Sequence, residues 1–280
     1  MKHGWFRTTA LVLGMLFLYG PIVSMMVLSF NNSRLVTVWD ADDSPTLKWY
    51  VRLFQNEQIL NAAWLSIKIA AMTATGAVVI GTLAGLVLAR FGPFRGRTML
   101  AGMTTAPLVM PEVITGLSLL LLFVSLEQLT GWPEGRGIVT ITISHITFAL
   151  AYVTVVVQSR LSGVDDSLEE AAMDLGARPA KVFFRITLPL IAPAIVSGWL
   201  LAFTLSWDDL VITQFVAGPG SSTLPMVIFS KVRLGVSPDV NALATIMVLI
   251  VALGIVVSAV WMRRQERKRN AEMQLATSQK

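Results

Sequence analysis

The chain has 280 residues, of which 54% are hydrophobic and 14% are charged, and its mean hydropathy is +0.67. Soluble domains carry roughly a quarter charged residues, so this composition excludes a soluble domain and predicts a polytopic membrane protein with no room for a separate catalytic domain. The net charge of +5 is not a nucleic-acid signal, because the basic residues lie in loops and tails beside apolar runs, and the absence of cysteine excludes disulfides and thiolate chemistry.

Apolar runs of about 20 residues are long enough to cross the hydrocarbon core of a bilayer. The first run follows a basic start, is too long for a signal peptide and has no A-x-A cleavage pattern, so we expect a retained span. The polar segment 31–65 after it is predicted to be an extracytoplasmic loop. The six predicted spans are Thr9–Phe30, Ser66–Ala89, Met99–Leu126, Ile138–Gln158, Leu190–Ala217 and Val240–Met262.

Small residues and prolines distinguish the second and third spans. A small-xxx-small stripe in the second span allows another helix to approach closely, either within this subunit or from another subunit. Pro107, Pro111 and Gly116 predict a kinked or locally unwound third span, which is tolerated where backbone lines a cavity. The stripe consists of Ala77, Gly81, Gly85 and Ala89.

Three carboxylates lie at membrane depth, where an ionised group is costly and usually functional. Glu112 lies about 20 Å along the third span, and the pair Asp208 and Asp209 begins about 27 Å along the fifth. The fifth span holds no Lys or Arg, whereas Phe203 and Trp207 offer aromatic faces that attract ammonium groups. These residues predict a substrate pathway with a transient cation site. The alternative is an interfacial Asp pair that caps a helix break without touching substrate.

Other chemistry is excluded by what the sequence lacks. No lysine follows a glycine, so there is no P-loop, and neither HExxH nor GxSxG occurs. The chain has two histidines, so we predict no metal site, no cofactor and no catalytic residues. His145 is alone in the fourth span and is interpreted as a hydrogen-bonded packing residue.

A polar insert, 160–187, separates the fourth and fifth predicted spans and carries helix signals. Ser167 and Glu170 have the spacing of a capping box. Gly176 stands where a left-handed C-cap is needed, and Pro179 suits the first position of a second short helix. Between these signals apolar residues recur at helical spacing and form one face of the predicted helix. The insert therefore predicts a helix–turn–helix whose apolar face docks on a partner; that face consists of Leu168, Ala171, Ala172 and Leu175.

Lys and Arg placement orients the chain. The side that carries more Lys and Arg is cytoplasmic, so both termini, the polar insert and the basic tail 263–280 are predicted to face the cytoplasm. The richer side has Lys2, Arg7, Arg90, Arg95, Arg97, Arg160, Arg178, Lys181, Arg185, Arg263, Arg264, Arg267, Lys268, Arg269 and Lys280. The other side has Arg34, Lys48, Arg52, Arg136, Lys231 and Arg233, with Lys68 near a span end.

The polar insert resembles a known family motif. Glu170-Ala171-Ala172, then Gly176, then Ile186-x-Leu188-Pro189 is similar to the EAA loop of ABC importer permeases. The resemblance implies an all-α fold with six transmembrane helices, the type I ABC importer permease fold. It also implies a cytoplasmic coupling helix between spans 4 and 5, which contacts an ATPase. The residues that it assigns to ATPase coupling are Glu169, Glu170, Ala171, Ala172, Leu175 and Gly176.

Three further stretches resemble the putrescine/spermidine permease subunits: APLVMPEVITGLSLLLLF, LSWDDLVITQFVAGPG and SPDVNALAT. The resemblance implies polyamine import into the cytoplasm across a bacterial inner membrane by a single permease domain, 1–280. The implied partners are a cytoplasmic ABC ATPase dimer, which hydrolyses ATP, a second permease subunit in a heterodimer, a periplasmic polyamine-binding protein and membrane lipid. The alternatives are a permease for another cationic or small solute and a secondary transporter. A membrane enzyme is disfavoured.

Overall fold

The computed structural model describes residues 3–33, 38–235 and 238–253, together with 256 and 260. Every regular element in these ranges is a helix. In chain order the helices are α1 (His3–Leu28), α2 (Lys48–Gln55), α3 (Glu57–Arg90), α4 (Arg97–Val109), α5 (Glu112–Thr130), α6 (Ile138–Leu161), α7 (Ser167–Asp174), α8 (Pro179–Val182), a π turn (Phe183–Thr187), α9 (Leu188–Trp207), α10 (Val211–Val216), α11 (Leu224–Leu234) and α12 (Pro238–Leu253).

Five helical stretches within the described ranges are long and apolar enough to cross a membrane. They correspond to the first five predicted spans and are Trp5–Leu28, Glu57–Arg90, Glu112–Thr130, Ile138–Leu161 and Pro179–Trp207. The predicted sixth span begins within α12, which is shorter, and most of its second half lies outside the described residues. A complete sixth span therefore stays a prediction. The predicted basic tail, 263–280, also lies outside the described residues.

The structure corrects two predicted boundaries and confirms the predicted interruption of the third span. The predicted outer loop, 31–65, contains α2 and the first turns of α3, so it is helical over much of its length. The third span begins with α4 and is interrupted at Met110 and Pro111, where the backbone is extended, as the prolines predicted. The fifth span is not continuous to Ala217, because the helix stops at Trp207 and resumes at Val211.

The chain forms two compact units, Gln58–Phe229 and Met1–Glu57 with Ser230–Lys280. In the second of these, the indole Nε1 of Trp49 donates to the carbonyl of Asn31 at 2.6 Å, and the Asn31 side chain donates to the carbonyl of Val38 at 2.7 Å. These bonds fix α2 on the segment that follows α1. The prediction that 1–280 forms a single permease domain stays a prediction.

In the unit Gln58–Phe229, α6 is the central helix. A Cβ atom added to Gly81 would lie 2.8 Å from Cβ of Val153, and one added to Gly85 would lie 3.1 Å from the carbonyl oxygen of Thr154. The small-residue stripe of α3 therefore packs against α6 of the same chain, which decides between the two packing alternatives for these glycines. Buried side chains of α6 and α9, including Val157 and Ile191, complete this core.

A second contact in the same unit joins α5 to α10. A Cβ atom on Gly116 would lie 2.7 Å from Cδ2 of Phe215 and 3.2 Å from Cα of Ile212. The hydroxyl of Thr140, at the start of α6, donates to the carbonyl of Val216 at 2.7 Å. The short helix α10 is therefore held from both sides, close to the break that precedes it.

Candidate functional sites

The polar insert contains a helix, α7, whose start differs from the prediction. The N-cap residue is Asp166, and Ser167 is the first helical residue, so the predicted capping box between Ser167 and Glu170 is wrong. The backbone N–H of Ser167 instead donates to the Asp165 carboxylate at 3.0 Å. That bond, with a second from the Ser167 hydroxyl, lowers the pKa of the Asp165 carboxyl. The side chain that accepts a free N–H at the start of α7 therefore belongs to the residue before the N-cap.

The end of α7 has the predicted form. Gly176 has φ +83°, which L-residues rarely adopt. The N–H of Gly176 donates to the carbonyl of Met173 at 2.9 Å, and the N–H of Ala177 donates to that of Ala172 at 3.0 Å. These two bonds make a Schellman cap. No atom lies within 4 Å of the position that a Cβ on Gly176 would take, so glycine is required for conformation rather than for space.

The helix α7 carries apolar side chains that nothing in the described chain covers. No residue of α7 is buried. Leu168 is 51% exposed, Met173 is 43% exposed and Leu175, just after the helix, is 90% exposed. Glu170 and Ala171 are also exposed, whereas Ala172 is half-buried. Most residues predicted for ATPase coupling are therefore presented outward.

Glu169 differs from its neighbour Glu170 because it points into the chain. Its side chain is 16% exposed, and Oε1 accepts a hydrogen bond from the Thr187 hydroxyl at 2.9 Å. Oε2 lies 3.5 Å from Nε of Arg90, whose Nη1 forms an ion pair with Asp166. Sequence reasoning missed Arg90 and Thr187 as partners of α7. Arg90 had one signal, its place in the last turn of α3, where a cation complements the helix dipole.

The segment after α7 also differs from the prediction of a separate second helix. Pro179 opens α8 at its first turn, as predicted. However, α8 continues through the π turn into α9, so that Pro179–Trp207 is one helical stretch of 29 residues. Val182 and Thr187 are buried on it. The return of the insert to the membrane is therefore the start of the fifth span itself.

At the far end of α9, Asp209 stabilises the break between α9 and α10. Its Oδ1 accepts hydrogen bonds from the backbone N–H and the hydroxyl of Thr213, both at 2.8 Å. Nε2 of His145, on α6, lies 3.1 Å from the same oxygen. The other ring nitrogen, Nδ1, lies 2.7 Å from the hydroxyl of Ser206. His145 is therefore hydrogen-bonded and buried, as interpreted from the sequence, and it supplies the partner that the fifth span itself lacks.

The chemistry of these groups assigns the protons. A carboxylate can only accept, so Nε2 of His145 carries the proton that faces Asp209. In the neutral ring Nδ1 is then an acceptor, and the Ser206 hydroxyl donates to it. Every polar group of the cluster has a partner in this arrangement. Asp209 thus accepts a free N–H at the start of α10, one residue before the N-cap Leu210, which is the part of the predicted alternative that the geometry favours.

Asp208 is placed differently from Asp209. It is the C-cap residue of α9, and it is exposed. Among the described residues it forms no ion pair. An aromatic ladder leads to it along α9: the rings of Trp199 and Phe203 stack with centroids 5.4 Å apart, and those of Phe203 and Trp207 stack 6.1 Å apart. Trp199 was missed, although its i, i+4, i+8 spacing with the other two was readable in the sequence.

Glu112 is the first residue of α5 and is also exposed. It forms no ion pair with any described residue. Gly116 of α5 packs on Ile212 of α10, so the first turns of these two helices are neighbours. The structure brings together Phe203, Trp207 and the Asp pair, while Glu112 joins them only through this helix contact.

Comparison with known proteins gives close relatives. The family described as "Binding-protein-dependent transport system inner membrane component" matches residues 77–271. The "Putrescine transport system permease protein PotI" of Escherichia coli (strain K12) is 55% identical over 278 residues, 99% of this chain and 97% of the relative. The "Spermidine/putrescine transport system permease protein PotC" of the same organism is 42% identical over 255 residues, 91% and 92% of the two chains.

Solved structures show the same fold. A chain in a crystal structure of a bacterial ABC transporter involved in the import of alginate, an acidic polysaccharide, matches with a TM-score of 0.71 at 17% identity. The match covers 92% of this chain and 95% of that one. At this identity the likeness establishes the fold alone. The chain therefore belongs to the family of binding-protein-dependent transport system inner membrane components, and it is an all-helical, multi-pass permease subunit.

Proposed function

We propose that the chain is a membrane subunit of an ATP-driven importer that carries polyamines, putrescine or spermidine, into the cytoplasm. The names of two relatives that align over nearly the whole chain support this cargo. A separate ABC ATPase dimer hydrolyses the ATP, since this chain has no P-loop. A second permease subunit, in a heterodimer, and a periplasmic polyamine-binding protein complete the machine. Such a protein lies in the bacterial inner membrane, with both termini in the cytoplasm.

The observation that carries the proposal is that the exposed helix α7 presents uncovered apolar side chains together with Glu170. A helix of eight residues is too short to be stable alone, and its exposed Leu168 and Met173 would gain free energy by burial. The abrupt stop at Gly176 keeps these side chains clear of the membrane-spanning helices. α7 is thus the coupling helix: Glu170, Ala171, Ala172 and Leu175 contact the ATPase, and Gly176 maintains the turn.

Replacing the outward carboxylate tests the docking role. In the proposed complex the ATPase faces the negative charge of Glu170, and Glu170→Lys replaces that charge with a positive one. Like charges that face each other across an interface cost several kcal/mol of binding free energy. We expect the variant to insert normally but to lose co-purification with the ATPase subunit. Glu134→Lys, at an exposed loop residue outside the insert, is the matched control and should co-purify as the unaltered chain does. Normal co-purification of Glu170→Lys would remove the docking role.

The cargo pathway is proposed to pass the exposed end of α9. Asp208 is an exposed carboxylate without an ion-pair partner among the described residues, and Trp207 and Phe203 stack just before it. Ammonium groups are attracted both to a carboxylate and to aromatic faces. Glu112 adds a second carboxylate from α5. Asp209 belongs to this pathway because its hydrogen bonds to Thr213 maintain the break between α9 and α10. This role is separate from any contact with cargo.

Neutralising Asp208 tests the cargo site. Asp208→Asn keeps the size of the side chain but removes the charge, and a hydrogen bond to a charged group is worth about 1.5–3 kcal/mol. We therefore expect polyamine uptake to fall roughly tenfold or more, with assembly intact. Uptake of radiolabelled putrescine and spermidine into vesicles measures this, with Asp43→Asn as the control for loss of an exposed carboxylate elsewhere. Unchanged uptake of both polyamines would remove Asp208 from the pathway, and uptake of another cation alone would overturn the cargo.

A further inference from the structure

We propose that Glu169 is a positioning residue that clasps the coupling helix to the permease helices, rather than a residue that docks on the ATPase. This inference rests on the proposed coupling role of α7. The clasp consists of Glu169, Arg90, Asp166 and Thr187. Through these residues α7 is fastened to the last residue of α3 and to the π turn that leads into α9.

Burial separates Glu169 and Arg90 from the docking face, whereas Asp166, the second acid of the clasp, is 63% exposed. The Glu169 side chain is 16% exposed and that of Arg90 12%, whereas the adjacent Glu170 is exposed. A partner that sits on α7 meets Glu170 first. An ion pair at this burial is screened less by water and salt than a surface pair is. Glu169 is therefore placed to hold α7 and not to recognise a second protein.

Arg90 is the centre of the clasp. Its guanidinium pairs with Asp166 at the N-cap of α7 and lies 3.5 Å from Glu169, one turn further on. Nη2 also donates to the carbonyl of Val164 at 3.2 Å, in the segment before α7. A planar guanidinium has several N–H donors that point toward different groups, so it can contact Asp166, Glu169 and Val164 at once. A lysine ammonium cannot do this equally well. One side chain of α3 thus fixes both the start of α7 and the segment that leads into it.

Thr187 closes the clasp on the other side. Its hydroxyl donates to Glu169 at 2.9 Å, and Thr187 itself is buried at the end of the π turn. A π turn adds a residue to the helical turn and often occurs at functional sites. The turn lies directly between α8 and α9, so a bond from it to α7 links the docking helix to the fifth span. Movement of α7 is therefore passed to α3 and α9 as rigid-body movement of their ends.

The consequence is a specific division of labour. Loss of a docking residue should release the ATPase, whereas loss of the clasp should leave the ATPase bound to a helix that moves without pulling on α3 and α9. ATP hydrolysis then continues with less transport. We expect the number of polyamine molecules imported per ATP hydrolysed to fall roughly 2- to 30-fold in a clasp variant, the range in which coupling residues act.

The test uses the reconstituted complex with Glu169→Gln, Arg90→Gln and Thr187→Val, compared with Glu170→Lys. We expect the three clasp variants to co-purify with the ATPase in unaltered amounts and to import fewer polyamines per ATP. Arg90→Lys should restore part of the ratio, because it keeps the charge. Arg95→Gln, an exposed arginine near the same helix end, and Thr105→Val, an exposed threonine bonded to its own helix, are matched controls with an unaltered ratio.

A spectroscopic measurement separates the clasp from a general loss of stability. The chain has no cysteine, so a single Asp174→Cys substitution carries one spin label at the end of α7. In the purified full-length chain, Glu169→Gln should raise the mobility of this label, while Arg95→Gln should not. A label elsewhere on the chain, at exposed Thr105, should be unaffected by both.

Each outcome decides one point. If Glu169→Gln loses the ATPase as Glu170→Lys does, Glu169 is a docking residue and the clasp is wrong. An unaltered ratio and unaltered label mobility in all three variants would also overturn the clasp, while the docking role stands on Glu170. If the unaltered chain neither binds an ATPase nor imports polyamines, the proposed function fails, whatever the label shows.

Discussion

Gly176→Val should abolish polyamine import while the chain still inserts into the membrane. Gly176 has φ +83°, a conformation in which a β-branched side chain is strongly disfavoured. Strain of this kind costs about 1–3 kcal/mol, which the marginal free energy of an eight-residue helix does not offset. The Schellman cap would open, α7 would fray from its C-terminal end, and Leu175 would leave the docking face.

The substitution series separates conformation from size. No atom lies within 4 Å of a Cβ added at Gly176, so bulk alone should not matter there. Gly176→Asn should retain most import, because asparagine tolerates the left-handed region. Gly163→Val is the control in the same insert, since Gly163 does not have a positive φ. Uptake and ATPase co-purification measure the effect at equal amounts of inserted chain. Equal activity of Gly176→Val and Gly163→Val would show that the turn is not required.

Local backbone signals were predictable from the sequence because they depend on few residues. A glycine after an apolar helical stretch and a proline at a first turn each have one dominant physical reason, and Gly176 and Pro179 were placed correctly. The start of α7 was not, because Asp165, Asp166 and Ser167 are three consecutive residues that all cap helices well. Their order alone does not determine which one satisfies the free N–H groups.

The break in the fifth span was predicted only as the alternative, in which the Asp pair caps it, because hydropathy favours one continuous span. Apolar residues continue from α9 through Val211 and Ile212, so the run reads as one span. The helix stops because the Asp209 side chain accepts the N–H of Thr213 and begins a new helix there. The third span contained Pro107 and Pro111, and prolines are a stronger signal of interruption than a carboxylate is.

Long-range partners were beyond reach because sequence spacing holds no record of them. Arg90 and Glu169 are 79 residues apart, and His145 and Asp209 are 64 apart. A small-residue stripe has the same sequence whether it packs within a chain or between chains. Only the position of Val153 against Gly81 decides that case. Glu169 was accordingly grouped with Glu170, although Glu169 bonds within the chain and Glu170 is exposed.

His145→Leu should destabilise the break between α9 and α10, because it removes the side chain by which α6 contacts this break. Leucine removes the donor to Asp209 and the partner of Ser206 at once, in a buried site. Each buried group left without its partner costs about 1–3 kcal/mol. We expect a lower melting temperature for the purified chain. We also expect reduced polyamine uptake, because Asp208, the C-cap residue of α9, adjoins Asp209 at this break.

Three comparisons define the cause. His145→Gln keeps polar contacts to both sides and should restore part of the stability and uptake. Thr142→Leu inserts the same side chain at a half-buried position of α6, where the hydroxyl bonds its own helix, and should leave both unchanged. Co-purification with the ATPase should be unaltered throughout, because the cluster lies at the opposite end of α9 from α7.

Cysteine reactivity reports the position of α10 directly. Val216 is fully buried on α10, and the chain has no cysteine of its own. A Val216→Cys reporter should resist a thiol reagent when His145 is present and react when His145→Leu is added. The Thr142→Leu control should leave it protected. If the reporter stays protected in His145→Leu and the melting temperature is unchanged, the break is held by the Asp209–Thr213 bonds alone. His145 would then be a packing residue without a part in presenting Asp208.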